Sequence, residues 1–483
     1  MLEEIIKERK KKIEKMRKAG IDPYPAEVKR SQTIGEVLDN FSKLERIKKK
    51  VSFSGRIRGI RNQGKIIFSD IEDDSGRIQL VIKKENLKDF DFLVDVLDAG
   101  DFVEVEGYLF ITKRGERSLE VKKVRILTKS LRTLPSDYYG IGDSETRLRK
   151  RYLDLILNKE TKDLFLKKAK FWQSFRNYLL KEKFLEVETP ILETMPGGAD
   201  AEPFKTRYNA LGEDFYLRIS LEIALKKLLV GGFERIFEIG RIFRNEGIDA
   251  EHLQDYTQLE FYYAFADYND LMKMVEKMYK FVIKETFGKM VFEQEGKKAD
   301  FSKKWEVIDY YDIFKKRSGI DLKTCTKKDL IKKVKELKLK EVKGLGEGRL
   351  IDLIFKKTAR PTIIGPAFLV NPPVSIEPLA KRHRKEEKRV ERFQVMAFGT
   401  ELGKGFSEAN DPVDQRERFE EQMRLREGGD KEAQRLDEEF LEALEYGMPP
   451  AAGFGVSERL FSVLSGKPIR ECVFFPAMRK NKD

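Results

Sequence analysis

The stretch FEIGRIFRNEGIDAEHLQDYTQLEFY, residues 237–262, sets two runs of alternating apolar and polar residues on either side of a short polar loop. Alternation at period two marks a strand with one buried face, and so short a loop returns the chain antiparallel beside itself. A hairpin is therefore predicted. Arg244 stands at the end of its first strand, Glu246 and His252 lie on a loop that also holds Gly247 and Asp249, and Tyr256, Glu260 and Tyr262 share one face of the second strand. A guanidinium fork suits a phosphate held bidentately, a histidine reaches a second phosphate, and an aromatic ring stacks on a base. ATP is the ligand these groups fit. An ordinary salt-bridged hairpin is the alternative reading of the same residues.

The 483 residues around this hairpin suffice for two or three domains with a large core. Lys and Arg number 96 against 83 Asp and Glu, a net charge of +13 that favours an anionic partner such as nucleic acid, although 37% charged residues of both signs also describes a solvated surface. Cys325 and Cys472 are far apart and lack nearby histidines, so neither a disulfide framework nor a zinc site is indicated and a reducing compartment fits. The N-terminal MLEEIIKERKKKIEKMRKAG has no apolar core of signal-peptide length, and no later run approaches a membrane span. A soluble cytoplasmic protein with no membrane partner is expected.

Residues 2–19 read as a charged helix with a thin apolar stripe of Leu2, Ile5, Ile6, Ile13 and Met16, suited either to RNA phosphates or to light packing on the next domain. From Val51 to Leu127 the segments VSFSGRI, KIIFSDI, RIQLVIK, DFVEVEGYL and SLEVKKVRIL alternate as strands, with a helical segment near Leu87 to Leu97, which suggests a small barrel of the OB type. Such barrels stack single-stranded bases on exposed aromatics beside cations. Phe68 and Arg61 are the candidates, while burial statistics place Phe68 in the core. Residues 160–182 form an amphipathic helix with Leu164, Ala169, Trp172, Phe175 and Leu179 inward. The segment from about 268 to 360 reads as helical and lysine-rich, strands return after Pro361, and a charged helix runs from about Asp414 to Asp430.

FRNE followed by His252, Tyr256 and Glu260 resembles motif 2 of the class II aminoacyl-tRNA synthetases, whose arginine holds the α-phosphate of ATP and whose aromatic stacks on adenine. GRIRGIRNQGKIIF, GRIQL and KRGERSLEVKKVRILTK resemble the anticodon-binding barrel of subclass IIb, whose members charge lysine, aspartate or asparagine. RYLDL is similar to the start of their catalytic domain, Pro190 in FLEVETPIL to the motif 1 proline, and GFGVSERL to motif 3. The resemblance implies an α+β chain: a charged helix at 1–28, an OB-type five-stranded anticodon-binding barrel at 29–130, a linker at 131–155, and a class II catalytic domain at 156–483. That domain would have a mainly antiparallel sheet flanked by helices and a helical insertion at about 268–360. The motif 1 proline implies a homodimer. In the lysine branch the aromatic matching Phe68 stacks on the central uridine, residues matching Gln79 and Glu116 read anticodon base edges, and Arg61 is a nearby cation.

A lysine site must neutralise a long cation and hold an α-amine and α-carboxylate near ATP, so it needs carboxylates at separated positions. By resemblance Glu222 holds the α-amine with a backbone contact from Gly198, Glu260, Tyr262 and Glu408 bind the ε-ammonium, and Phe406 flanks the aliphatic stem. Arg244 and Lys404 would meet the substrate carboxylate. Arg244 and Arg459 would be the catalytic cations, with His252 and Arg459 on the outer phosphates, Glu246 on the adenine side, Tyr256 stacked on the ring and Glu401 on Mg2+. PGGA and EPLAKRHR look like the lysine enzymes. The implied reaction is ATP-dependent formation of lysyl-adenylate from L-lysine, then transfer to the 3′ end of tRNA(Lys), with positioning and charge neutralisation supplying the acceleration.

Three positions depart from the pattern. Lys404 replaces an asparagine, and would either pair with the substrate carboxylate or compete for Glu260 or Glu408. Gln394 replaces a glutamate that helps bind magnesium, leaving Glu401 and making fewer or weaker metal sites. Motif 3 is one residue short. The alternatives are an aspartate or asparagine enzyme, opposed by Glu260, Glu408 and PGGA; a relative that attaches lysine to a protein, opposed by the barrel; and an RNA-binding paralogue with impaired catalysis, which would explain Lys404 and Gln394 but not the retained Arg244, Glu401 and Arg459.

Overall fold

The protein is described from a computed structural model at residues 2–135, 142–247, 252–339, 345–429 and 433–479. It divides into two compact units, Met1–Gly142 and Asp143–Asp483. Residues 136–141 of the expected linker and 248–251 of the hairpin tip, Asp249 included, lie outside the described residues.

In the first unit five strands close into a barrel in the order Lys50–Asn62, Ile66–Glu72, Arg77–Lys83, Arg117–Thr128, Phe102–Ile111. All pairings are antiparallel except that of Arg77–Lys83 with Arg117–Thr128. Every second residue points inward, so Phe53, Ile57, Ile71, Leu80, Ile82, Val105 and Val121 fill the core. The N-terminal helix Leu2–Lys18 docks on this unit: Met16 joins the core, and buried Arg9 donates to the carbonyls of Ser130 at 2.8 Å and Ala99 at 3.0 Å. Phe68 is not a core residue. It is half-buried between inward-facing Ile67 and Ser69, because the strand period that buries its neighbours turns it out.

The second unit is built on an eight-stranded sheet in the order Glu306–Asp309, Ala367–Val370, Arg392–Ala397, Thr400–Ser407, Ala451–Ser457, Asp255–Ala264, Arg235–Phe243, Leu185–Glu186. Only the two outermost pairings are parallel. Helices Lys159–Lys181 and Tyr268–Phe287 cover one face, packing Phe171, Phe175, Val275 and Tyr279 against the sheet residues Phe261, Phe393 and Phe454. Tyr262 and Phe406 point to the other face, into a second cluster with Leu225 and Leu229 of helix Glu222–Val230. One face is closed by core, and the other is available for a site.

The 268–360 segment is not helical throughout. Helix Tyr268–Phe287 belongs to the core layer, and three short strands follow: Val291–Gln294 and Lys297–Asp300 pair as a hairpin, while Glu306–Asp309 joins the main sheet. Buried Phe292 and Ala299 alternate with Lys and Glu there, a period-two signal that the abundance of lysine obscured. Among the described residues after these strands, helices Tyr310–Ser318, Lys327–Glu336 and Glu347–Thr358 pack around Phe314, Leu330, Val334, Leu350 and Ile354.

Candidate active site

The strands Arg235–Phe243 and Asp255–Ala264 pair antiparallel, with Glu238 opposite Glu260 and Ile242 opposite Tyr256. Period two then puts Tyr256, Gln258, Glu260 and Tyr262 together on the wall of a cavity of about 310 Å3. Arg244, just past the first strand, has its backbone fixed by the Gln254 carbonyl at 2.7 Å and its Nε on the Ile219 carbonyl at 3.2 Å. Its guanidinium carbon lies 5.8 Å from the centre of the Tyr256 ring, so cation and aromatic face the same space. Burial raises the Tyr256 hydroxyl pKa.

Next along this wall are the acids. Glu260, 3% exposed, accepts from Ser220 Oγ at 2.8 Å, the Leu221 amide at 3.1 Å and Gln258 Nε2 at 2.6 Å on one oxygen, and from the Tyr262 hydroxyl at 2.9 Å on the other. Four donors keep a buried carboxylate satisfied without an ion pair. Glu222 opens the helix Glu222–Val230, and burial pushes its carboxyl up to about 7. Gly198, at φ +80°, lies so close that a Cβ there would stand 3.0 Å from those of Glu222 and Ser220.

A residue that the sequence reading passed over completes this cluster. Lys226, fully buried one turn after Glu222, donates to Glu222 Oε1 at 2.5 Å and forms an ion pair with Glu408 Oε2. Although burial acts to lower it, the two carboxylates raise the Lys226 pKa. Glu408 is buried behind this ammonium, where desolvation raises its pKa, and it does not line the cavity. Of the acids expected around the substrate, the cavity wall thus carries Glu222 and Glu260 but not Glu408.

Cations line the same cavity, with Lys404 and Glu260 flanking Gly455 in the sheet. Lys404, Gln394 and Glu401 come from the paired strands Arg392–Ala397 and Thr400–Ser407. Lys404 binds neither Glu260 nor Glu408: its Nζ donates to Glu377 at 2.7 Å, and Arg392 Nε lies 3.4 Å from the same oxygen. Despite burial, Glu377 raises the Lys404 pKa. Gln394 Nε2 donates to Glu401 Oε2. One carboxylate beside an amide suits a magnesium ion that keeps waters and takes phosphate oxygens for its other ligands, and among the described residues no three acids, histidines or cysteines gather into a fuller cage. Arg459 lines the cavity too. Its Nε is buried without a hydrogen-bond partner among the described residues, the state of a donor that an anion would satisfy. The preceding Glu458, fully buried, accepts from the Thr257 amide at 3.0 Å and Lys168 Nζ at 2.8 Å, which fixes the start of helix Arg459–Ser465.

Glu246 and His252 are not on the cavity wall, although Glu246 is near enough to Tyr256 to act on its hydroxyl. A wall that no motif indicated comes from the helical unit: Arg349 of helix Glu347–Thr358 lies 3.4 Å from Asp200, and Gln434 Nε2 donates to Asp200 at 3.3 Å. Burial raises the Asp200 pKa. In the barrel unit Phe68 lies opposite exposed Arg61, Gln79 Oε1 accepts from Ser118 Oγ at 3.0 Å, and Glu116 is exposed at the turn before Arg117–Thr128. The barrel therefore presents Phe68 and Gln79 on outward positions of adjacent strands.

Comparison with known proteins agrees with this layout. Residues 51–127 match the OB-fold nucleic acid binding domain family. The lysine–tRNA ligase of Roseiflexus sp. (strain RS-1) is 43% identical over 484 residues, 99% of each chain, and that of Moorella thermoacetica is 43% identical over 481 residues, 98% of each. The lysine–tRNA ligase of Thermotoga maritima is 41% identical over 490 residues, covering 100% of this chain and 97% of that one. Residues 143–479, which hold the entire cavity, match the class II tRNA synthetases of the D, K and N group, and the chain belongs to that family.

Proposed function

We propose that the protein is a lysine–tRNA ligase that activates L-lysine with ATP and transfers it to tRNA(Lys). The observation that carries the choice of amino acid is the pair of buried carboxylates, Glu222 and Glu260, that line the cavity together with the cations Arg244, Lys404 and Arg459. The two ammonium groups of lysine fit two acids, and an aspartate or asparagine substrate would leave one acid unpaired in a desolvated site. Phe406, which also lines the cavity, suits the aliphatic stem.

The carboxylate of lysine attacks the α-phosphorus of ATP, the bond to the β-phosphate oxygen breaks, and pyrophosphate leaves. Arg244, oriented by its Ile219 contact, holds the α-phosphate and gains as charge develops there; Arg459 holds the outer phosphates. Tyr256 stacks on adenine, with Glu246 on the same side. The 3′-hydroxyl of the tRNA then attacks the lysyl carbonyl and AMP departs. Glu401 would hold Mg2+, whose chemistry there would be neutralisation of phosphate charge. Phe68, Gln79, Glu116 and Arg61 offer the anticodon a stacking ring, polar edges and a cation.

Homodimerisation is supported by apolar residues left exposed around Pro190, among them Leu185, Ile191, Leu192 and Met195. Among the described residues no helix is long and apolar enough to cross a membrane, consistent with a cytoplasmic site of action. ATP–pyrophosphate exchange measured separately with lysine, asparagine and aspartate tests the reading. Exchange with lysine alone is expected; exchange with another amino acid overturns the specificity, and exchange with none overturns the activity.

A further inference from the structure

We infer that Lys168 is a positioning residue of the reaction: through the buried carboxylate of Glu458 it fixes Arg459 in register with the hairpin that carries Arg244. The inference rests on the ATP site proposed above and adds to it a residue that touches neither ATP nor lysine, since Lys168 lies outside the cavity wall.

Arg244 and Arg459 line one cavity but come from elements far apart in sequence, the end of strand Arg235–Phe243 and the start of helix Arg459–Ser465. Two cations that share one triphosphate need a fixed spacing, because a misplacement of about 1 Å costs on the order of 100-fold in rate. Glu458 joins the two elements. Its carboxylate is fully buried: Oε1 accepts from the Thr257 amide of the second hairpin strand at 3.0 Å and lies 3.6 Å from Arg241 Nη1 of the first, while Oε2 accepts from Lys168 Nζ at 2.8 Å. The Glu458 amide donates in turn to the Thr257 carbonyl at 3.3 Å.

Of the two cations on this carboxylate, Lys168 is the enclosed one. Its side chain is 15% exposed against 42% for Arg241, and Arg241 also pairs with Asp255. Lys168 Nζ donates as well to the Cys472 carbonyl at 2.7 Å, so one ammonium holds both ends of the segment 458–472 that carries Arg459. Lys168 stands on helix Lys159–Lys181, whose Phe171, one turn further on, sets its ring centre 5.4 Å from that of Phe461. This apolar contact keeps the two helices together but is non-directional and tolerates sliding, whereas the hydrogen-bonded ion pair is specific in distance and angle. Arg459 Nε is buried without a hydrogen-bond partner among the described residues, which leaves the backbone held by Glu458 to aim the side chain. Without Lys168, the buried carboxylate turns toward its remaining cation, and the residue next to Arg459 turns with it.

The test compares wild type, Lys168→Met and Arg459→Ala by calorimetric titration with ATP, AMP and lysine at one magnesium concentration. AMP carries the α-phosphate assigned to Arg244 but lacks the outer phosphates assigned to Arg459. Lys168→Met should therefore bind ATP about tenfold more weakly, within the contribution of a charge-assisted hydrogen bond, while AMP and lysine bind within about twofold of wild type. Arg459→Ala should show the same selective loss. ATP affinity within about twofold of wild type in Lys168→Met overturns the inference. So does a loss shared equally by ATP, AMP and lysine, which a merely structural role would give. If Lys168→Met does not fold, the double variant Lys168→Met/Glu458→Gln removes the buried pair as a unit, and wild-type ATP affinity in that variant overturns the inference equally. Wild-type protein that binds ATP no more tightly than AMP refutes the ATP-site reading instead.

Discussion

Glu260→Gln separates the charge of this carboxylate from its shape. The glutamine oxygen can replace the carboxylate oxygen that accepts from Ser220, Leu221 and Gln258, and its amide then faces the Tyr262 hydroxyl, which turns to accept instead of donate. The hydrogen bonds are kept in number while a buried charge is removed, so folding should change by no more than about 1 kcal/mol. Substrate loses more. A hydrogen bond between charged partners contributes about 1.5–3 kcal/mol, and the Coulomb attraction lost across about 4 Å at an effective dielectric constant near 20 is of similar size. A net loss of about 3 kcal/mol corresponds to roughly 150-fold in kcat/KM for lysine. The assay is lysine-dependent pyrophosphate exchange, with norleucine as an uncharged isostere and a thermal melt on the same preparation. The ATP KM should hold, and discrimination between lysine and norleucine should shrink by the same factor. A kcat/KM for lysine within threefold of wild type would refute the reasoning, and so would an equal loss with norleucine, which would point to structural damage.

Gln394→Glu places a second carboxylate where an amide now donates to Glu401, so it should lower the magnesium concentration for half-maximal exchange by about tenfold and make the melting temperature rise with added magnesium more steeply than in wild type. In Phe68→Ala the tRNA dissociation constant should increase by about tenfold, in line with about 1–3 kcal/mol per stacked base, while pyrophosphate exchange without tRNA is unchanged. Glu193, whose carboxyl burial pushes up to about 8, holds its proton in the folded protein at pH values where the unfolded chain has lost it. Its contribution is therefore complete below the unfolded value near 4.5 and is lost as pH rises to about 8. Glu193→Gln should flatten that decline and gain on the order of 2 kcal/mol at pH 8.5, read from denaturant melts across pH.

The hairpin was legible because two independent signals coincide in it: a period of two places Tyr256, Glu260 and Tyr262 on one face, and Arg244 falls where the strand ends. The barrel was legible for the same reason, although burial statistics misjudged Phe68, whose position is set by the register of its strand and not by its residue type. Lys226 was passed over because LEIALKKLLV reads as a helix with a solvated lysine pair. Its signal was there: Lys226 sits three residues from both Ile223 and Leu229 on the buried stripe, whereas Lys227 falls beside it. The contact of Asp200 with Arg349 and Gln434 had no such signal, since it joins segments more than 80 residues apart through tertiary packing. The pairing of Lys404 with Glu377 was likewise hidden, because the sequence showed the departure at Lys404 and not its partner.

Gly453 bears on how this pocket can be rebuilt. A Cβ at that position would stand 2.3 Å from Glu408 Oε1 and 2.4 Å from Tyr262 Cε1, so the strand Ala451–Ser457 tolerates no side chain there without shifting the acid cluster. Mutant libraries intended to admit longer or acylated lysine analogues gain nothing by randomising that position. They should instead vary the hairpin positions Tyr256, Gln258 and Tyr262, whose side chains line the cavity and can be shortened to enlarge it.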